Sequence, residues 1–145
     1  MDDIALADFA ISLELTARDL YDAAIAAGAS GVVWTVMREQ HESYAQRLSG
    51  IVGSPADARN DAVYDALVDS FRGPTSRAGF ELENTAAATH VELIGAVGDR
   101  DLAAAMASIA AMESRHATVL ADLAGIGDDL DALFLNNAAP LSPEA

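Results

Sequence analysis

The sequence predicts an all-α fold, an antiparallel four-helix bundle with one crossover connection and a short extra helix. Three observations carry this expectation. Four long stretches place apolar residues at helical spacing, which marks an amphipathic helix with one buried face. No segment shows the strict apolar–polar alternation of a half-buried strand, and no internal repeat is visible. The second and third stretches are separated by a longer, broken connection, as in bundles where one link crosses over.

The first helix is read from DDIALADFAISLELTARDLYDAAIAAG, whose leading acids suit a helix N-terminus and whose Gly28 suits a stop. Leu6, Ala10, Leu13, Glu14, Ala17, Tyr21 and Ala24 fall on one stripe. A second helix opens near Ser30, a plausible N-cap, and carries Val33, Met37, His41, Tyr44 and Leu48 in line. The stretch GSPADARN breaks it, and DAVYDALVDSFRG forms the short extra helix, closed by Gly73 and Pro74. The third long helix, SRAGFELENTAAATHVELIGAVG, aligns Phe80, Glu83, Ala87, His90, Ile94 and Val97. Gly98 and Asp99 make a tight turn into the fourth, which aligns Met106, Ile109, Glu113, His116, Leu120 and Leu123. Residues 1–126 are thus expected to form the bundle, and 127–145 a tail that lies against it through Leu130, Leu133 and Phe134 before fraying.

Composition narrows the function. With 145 residues and 52% hydrophobic content, the chain can bury a real core and is not disordered. It has no cysteine, so disulfides, thiolate metal sites and a cysteine nucleophile are excluded; any metal must be held by carboxylate and imidazole. A net charge of −15 repels a phosphate backbone, and no cluster of Lys or Arg offsets it, so nucleic acid is not expected as a partner. The same charge attracts cations. No apolar run reaches the ~20 residues of a membrane span. MDDIALAD shows neither a basic nor an apolar leader region, so the chain as written reads as cytoplasmic. A start downstream of a removed export signal would read the same way. High apolar content in so small a bundle favours a homo-oligomer.

The chemistry lies in polar residues on the wrong face. All three histidines, His41, His90 and His116, occupy apolar stripes, as do Glu14, Glu83 and Glu113. An ionised carboxylate inside a bundle is costly unless paired or bound to a metal. Dinuclear carboxylate bundles take one Glu from each of two helices and a Glu-x-x-His from each of the other two. Here Glu14 and Glu83 fit the single glutamates, and Glu113-Ser-Arg-His116 is one Glu-x-x-His. The second helix offers His41-Glu-Ser-Tyr44 instead, with Glu42 as a rim residue beside the stripe. His90, two turns from Glu83, reads as a packed or hydrogen-bonded residue rather than a ligand. Glu83 falls early in its expected helix, somewhat off the level of the others.

The stretches FAISLELTARDLYDAA, REQHESYAQRL, FELENTAAATHVELIGAV and IAAMESRHATVLADL, with the tail DALFLNNAAPLSP, resemble the ferritin-like superfamily, in particular actinobacterial ferritin-like domain proteins. The resemblance implies metal ligands at Glu14, His41, Glu83, Glu113 and His116, and iron, dinuclear or single, or manganese as the cofactor. Relatives tend to carry a further histidine where this chain has Tyr44, which could serve as weak ligand, hydrogen-bond donor or one-electron donor. A division follows in which Glu14 and His41 hold one ion, Glu83 and His116 the other, and Glu113 bridges. The superfamily implies oxidation of Fe(II), or reaction with oxygen or peroxide. The alternative is a metal-free bundle serving as a structural or partner-binding module.

Overall fold

The computed structural model describes residues 1–143. Its six helices are α1 (Asp3–Ala26), α2 (Val32–Val52), α3 (Asp61–Phe71), α4 (Thr75–Ile94), α5 (Arg100–Leu123) and α6 (Leu130–Phe134). The long helices α1, α2, α4 and α5 form the bundle. The hairpins α1–α2 and α4–α5 are joined by short turns, and the crossover from α2 to α4 contains α3.

Local chemistry explains the boundaries. The Asp2 carboxylate accepts from Ala5 N at 2.9 Å and starts α1, and Asp99 does the same for Asp101 N and Leu102 N at the head of α5. The Asp3 carboxylate accepts from Gly98 N and Asp99 N at 2.9 and 2.7 Å, tying the first turn of α1 to the α4–α5 turn. Ser30 is not the cap of α2. Gly31 takes that place at φ 118°, a backbone region that Ser30 could occupy only under strain, while the Ser30 carbonyl accepts from Trp34 Nε1 at 3.2 Å. The third long helix ends at Ile94, short of the expected Gly98, which places Glu83 ninth of its twenty residues.

The crossover is fastened to α1 by Thr16, whose hydroxyl accepts from Asn60 N at 2.9 Å and donates to the Ser12 carbonyl at 2.8 Å. The Asn60 side chain in turn caps α3 by accepting from Val63 N. Beyond α5 the chain lies along α4 through Asn136 Nδ2 donating to the Asn84 carbonyl at 2.8 Å and Leu141 N donating to Thr89 Oγ1 at 2.9 Å. Of the three apolar residues expected to pack, Leu133 is half-buried, whereas Leu130 and Phe134 are 64% and 79% exposed. The expected fraying falls on residues 144–145, outside the described residues.

Two apolar clusters fill the bundle. One joins Leu6, Ile11, Leu15, Leu48, Leu93, Met106 and Ile109; the other joins Leu20, Tyr21, Trp34, Met37, Phe71, Leu82 and Leu120. Along every long helix the residues left between the two clusters include the buried acids and histidines.

Candidate metal centre

That intervening layer is polar and buried at once. Glu14, His41, Glu83, His90, Glu113 and His116 are all 5% exposed or less. Each bundle helix points at least one of them inward, because the helical period that aligns their apolar neighbours carries them along.

His41 is the hub. Its Nδ1 lies 2.7 Å from Glu14 Oε2 and its Nε2 3.0 Å from Glu83 Oε1. With a carboxylate at each nitrogen, both carry protons in the absence of metal. Burial pushes the ring's proton affinity down, and the two carboxylates, Glu83 foremost, more than reverse it, so His41 holds its proton well above the usual histidine range. Burial alone would raise Glu83, but the facing His41 and His116 pull it down to about 2. Glu83 Oε2 lies 3.2 Å from His116 Nδ1, and the other His116 nitrogen meets the Gln40 side-chain amide oxygen. Tyr21 donates its hydroxyl to Glu83 Oε1 at 2.5 Å and stacks on His41 with ring centroids 5.7 Å apart. Gly79 permits this approach: a Cβ there would stand 3.3 Å from the Tyr21 oxygen and 3.0 Å from a Leu120 methyl.

The other end of the layer is less well satisfied. His90 Nδ1 lies 3.1 Å from Glu113 Oε2 and 3.2 Å from the Ala86 carbonyl. Its Nε2 comes within 3.2 Å of Glu14 Oε1 but forms no hydrogen bond there. Among the described residues, His90 Nε2 and Glu113 Oε1 are the buried side-chain polar atoms that lack a partner. Burial, with Glu14 and Glu83 nearby, raises Glu113 to about 7 against the pull of His90. Burial disfavours the charged His90 ring, yet Glu113 and Glu14 lift it to about 9.

The layer thus resolves into two triads, His41–Glu83–His116 and Glu14–His90–Glu113, each with ligand atoms within 4.8 Å of one another. A cation at the Glu14–His90–Glu113 triad would answer the problem its orphaned atoms pose, since no protein donor reaches Glu113 Oε1. Three carboxylates and three imidazoles are a donor set suited to iron or manganese. The chain's residues therefore fit a metal site.

A family model for the ferritin-like domain matches residues 2–125. The chain belongs to the ferritin-like domain family. No curated protein and no solved structure matches it. Among the described residues of this ferritin-like domain, no helix is long and apolar enough to cross a membrane.

All five residues expected as ligands lie in the layer. Glu14 groups with His90 and Glu113 through one carboxylate oxygen and meets His41 Nδ1 at 2.7 Å through the other, while His41 also groups with Glu83 and His116. His90 is buried and hydrogen-bonded, as expected, and it also stands within ligand-forming distance of Glu14 and Glu113. Seven residues separate Glu83 from His90, about 10.5 Å along a helix axis, so the two face the same way and reach opposite ends of the layer. Glu42 turns outward to Arg18 at 2.8 Å. Tyr44 is half-buried, its ring parallel to His116 and edge-on to His41, its hydroxyl 3.5 Å from Gln40 Oε1. Burial and the three glutamates raise its phenol above the ordinary range.

Tyr21 and Gln40 are the residues that sequence reasoning passed over. Tyr21 carried a signal, lying on the Glu14 stripe two turns on. Gln40 carried none, since it sits off the stripe beside His41.

Proposed function

We propose that this ferritin-like domain binds two divalent ions, iron or manganese, between its four long helices, and that it supports oxidation of Fe(II) or reaction with oxygen or peroxide. One observation carries the reading: two adjoining buried triads of carboxylate and imidazole, with their two unpartnered atoms confined to one of them. His41, Glu83 and His116 would hold one ion; Glu14, His90 and Glu113 the other. Such ions supply one-electron redox chemistry and polarise bound oxygen species.

The chain's own residues then divide the remaining work. Tyr21 fixes Glu83 by donating to Oε1, and Gln40 fixes the His116 ring from its far nitrogen, as outer partners of metal ligands do. The two apolar clusters exclude water from both ends of the layer. Tyr44, in ring contact with His41 and His116, is the residue placed to take part in the chemistry as hydrogen-bond or electron donor. Protons leave His41 and His90 as metal enters, since an imidazole nitrogen ligates only when free of its proton.

The second reading, a metal-free bundle serving a structural or partner-binding role, draws on the continuous run of contacts from Glu14 through His41, Glu83 and His116 to Gln40, which satisfies one triad without any ion. Metal content per chain, measured by plasma mass spectrometry on protein grown with iron and manganese, separates the two. About two ions per chain support the dinuclear centre. No metal, together with no rise in melting temperature on adding Fe(II) or Mn(II), leaves the metal-free bundle.

A further inference from the structure

The crossover leaves an open trough between α3, α4 and the C-terminal segment, of about 650 Å³. Alanines on its walls, among them Ala62, Ala66, Ala78 and Ala139, keep it concave where leucines would fill it. Its size falls within the range of small-molecule sites. Beneath it, a cavity of about 20 Å³ touches Glu14, His90 and Glu113, enough for roughly one water-sized molecule. Val63, Leu82, Thr85 and Leu141 line both spaces, so these four side chains are the partition between groove and cavity. On the inner side of that partition stand His90 and Glu113, each with one buried polar atom that makes no hydrogen bond.

We propose that the groove binds an uncharged, apolar small molecule and presents it to the Glu14–His90–Glu113 side of the centre. The walls are apolar except for Ser70, Thr85 and one charged residue, Glu81. An anion meets that carboxylate and a chain of net charge −15. A cation gains little, because Glu81 already pairs with Arg77 at 2.9 Å. The cavity under the groove touches all three residues of the Glu14–His90–Glu113 triad and only His41 of the other, whose His116 is flanked by Gln40 and Tyr44 on α2. That the occupant is what the centre acts on rests on the metal reading, whereas its binding in the groove does not.

The test uses the full chain treated with chelator and the uncharged fluorophore N-phenyl-1-naphthylamine. Saturable binding of about one molecule per chain is expected. Ala66→Trp and Ala139→Trp, at exposed positions on opposite walls, should each weaken it by about tenfold or more, while Thr118→Trp on α5 should leave it unchanged. Absence of saturable binding overturns the proposal, as does binding that both groove variants leave within about twofold. So does a dimer that Ala66→Trp splits while the fluorophore fails to bind, since a second copy would then fill the groove. With Mn(II) added, the proton resonances of the bound molecule should broaden more at one ring than the other; uniform weak broadening overturns the inward orientation. A chain that binds the fluorophore but no Mn(II) refutes the metal reading and leaves the groove site standing.

Discussion

Glu113 and His116 stand one turn apart on α5 yet serve different triads: Glu113 Oε2 lies 3.1 Å from His90 Nδ1, and His116 Nδ1 lies 3.2 Å from Glu83 Oε2. The Glu-x-x-His pair therefore spans the two halves of the layer. Loss of a ligand should then cost one ion selectively. His90→Ala is expected to lower the content from about two ions per chain to about one, with the remaining ion at His41–Glu83–His116. Plasma mass spectrometry checks the number, and retention of both ions would refute the division.

Removal of metal should make stability fall as pH rises. Glu113, raised to about 7 from 4.5, keeps its proton in the fold after the unfolded chain has released it, so its contribution is complete below about pH 4.5 and lost through about 7. His90, raised to about 9 from 6.5, contributes fully below about 6.5 and loses this through about 9; His41 acts in the same direction. Glu83, lowered to about 2, adds stability above about 4.5 that is lost as pH falls through about 2. Melting of the chelator-treated protein should peak near pH 5 and decline toward pH 9. Metal competes with these same protons, so loaded protein should show a flatter or opposite trend.

Tyr21→Phe deletes the hydroxyl that donates to the buried Glu83 carboxylate. The expected cost is about 1.5–3 kcal/mol in urea unfolding of metal-free protein, the usual worth of a hydrogen bond to a charged group. Gly79→Ala should shift the same bond by pressing on Tyr21 and Leu120, with a smaller loss, because the Leu120 end can move.

Thr16→Val removes the acceptor through which α1 holds the head of α3. Asn60 N keeps only the Ser12 carbonyl at 3.2 Å. A loss of about 1 kcal/mol is expected, with faster amide exchange in α3 than in α1.

Much of this was legible from spacing alone. Helical stripes put Glu14, His41, Glu83, Glu113 and His116 inside because one period governs both them and their apolar neighbours, and the same period gave the four long helices. What the stripe lacks is a coordinate along the axis between helices. Hence His90 was set aside for being far from Glu83, although a partner helix supplies Glu113 at its level. Pairing across the bundle is likewise a matter of relative helix heights, and so the triads regroup the residues. Boundaries were harder still: Gly31 took the cap from Ser30 through a backbone angle, and Ile94 ended α4 early. Leu130 and Phe134 depart from the expectation that apolar residues pack, and the segment that follows them is tied down by Asn136 and the Leu141 amide.

The polar layer between the two apolar clusters has a mechanical consequence. A helical bundle ordinarily frays from its ends and is stiffest at its waist. Here the waist is held by buried acids and imidazoles whose attraction depends on where their protons sit, while apolar side chains pack on either side. The four long helices run unbroken through all three zones, so the charge state of the middle layer sets how tightly four continuous rods are drawn together.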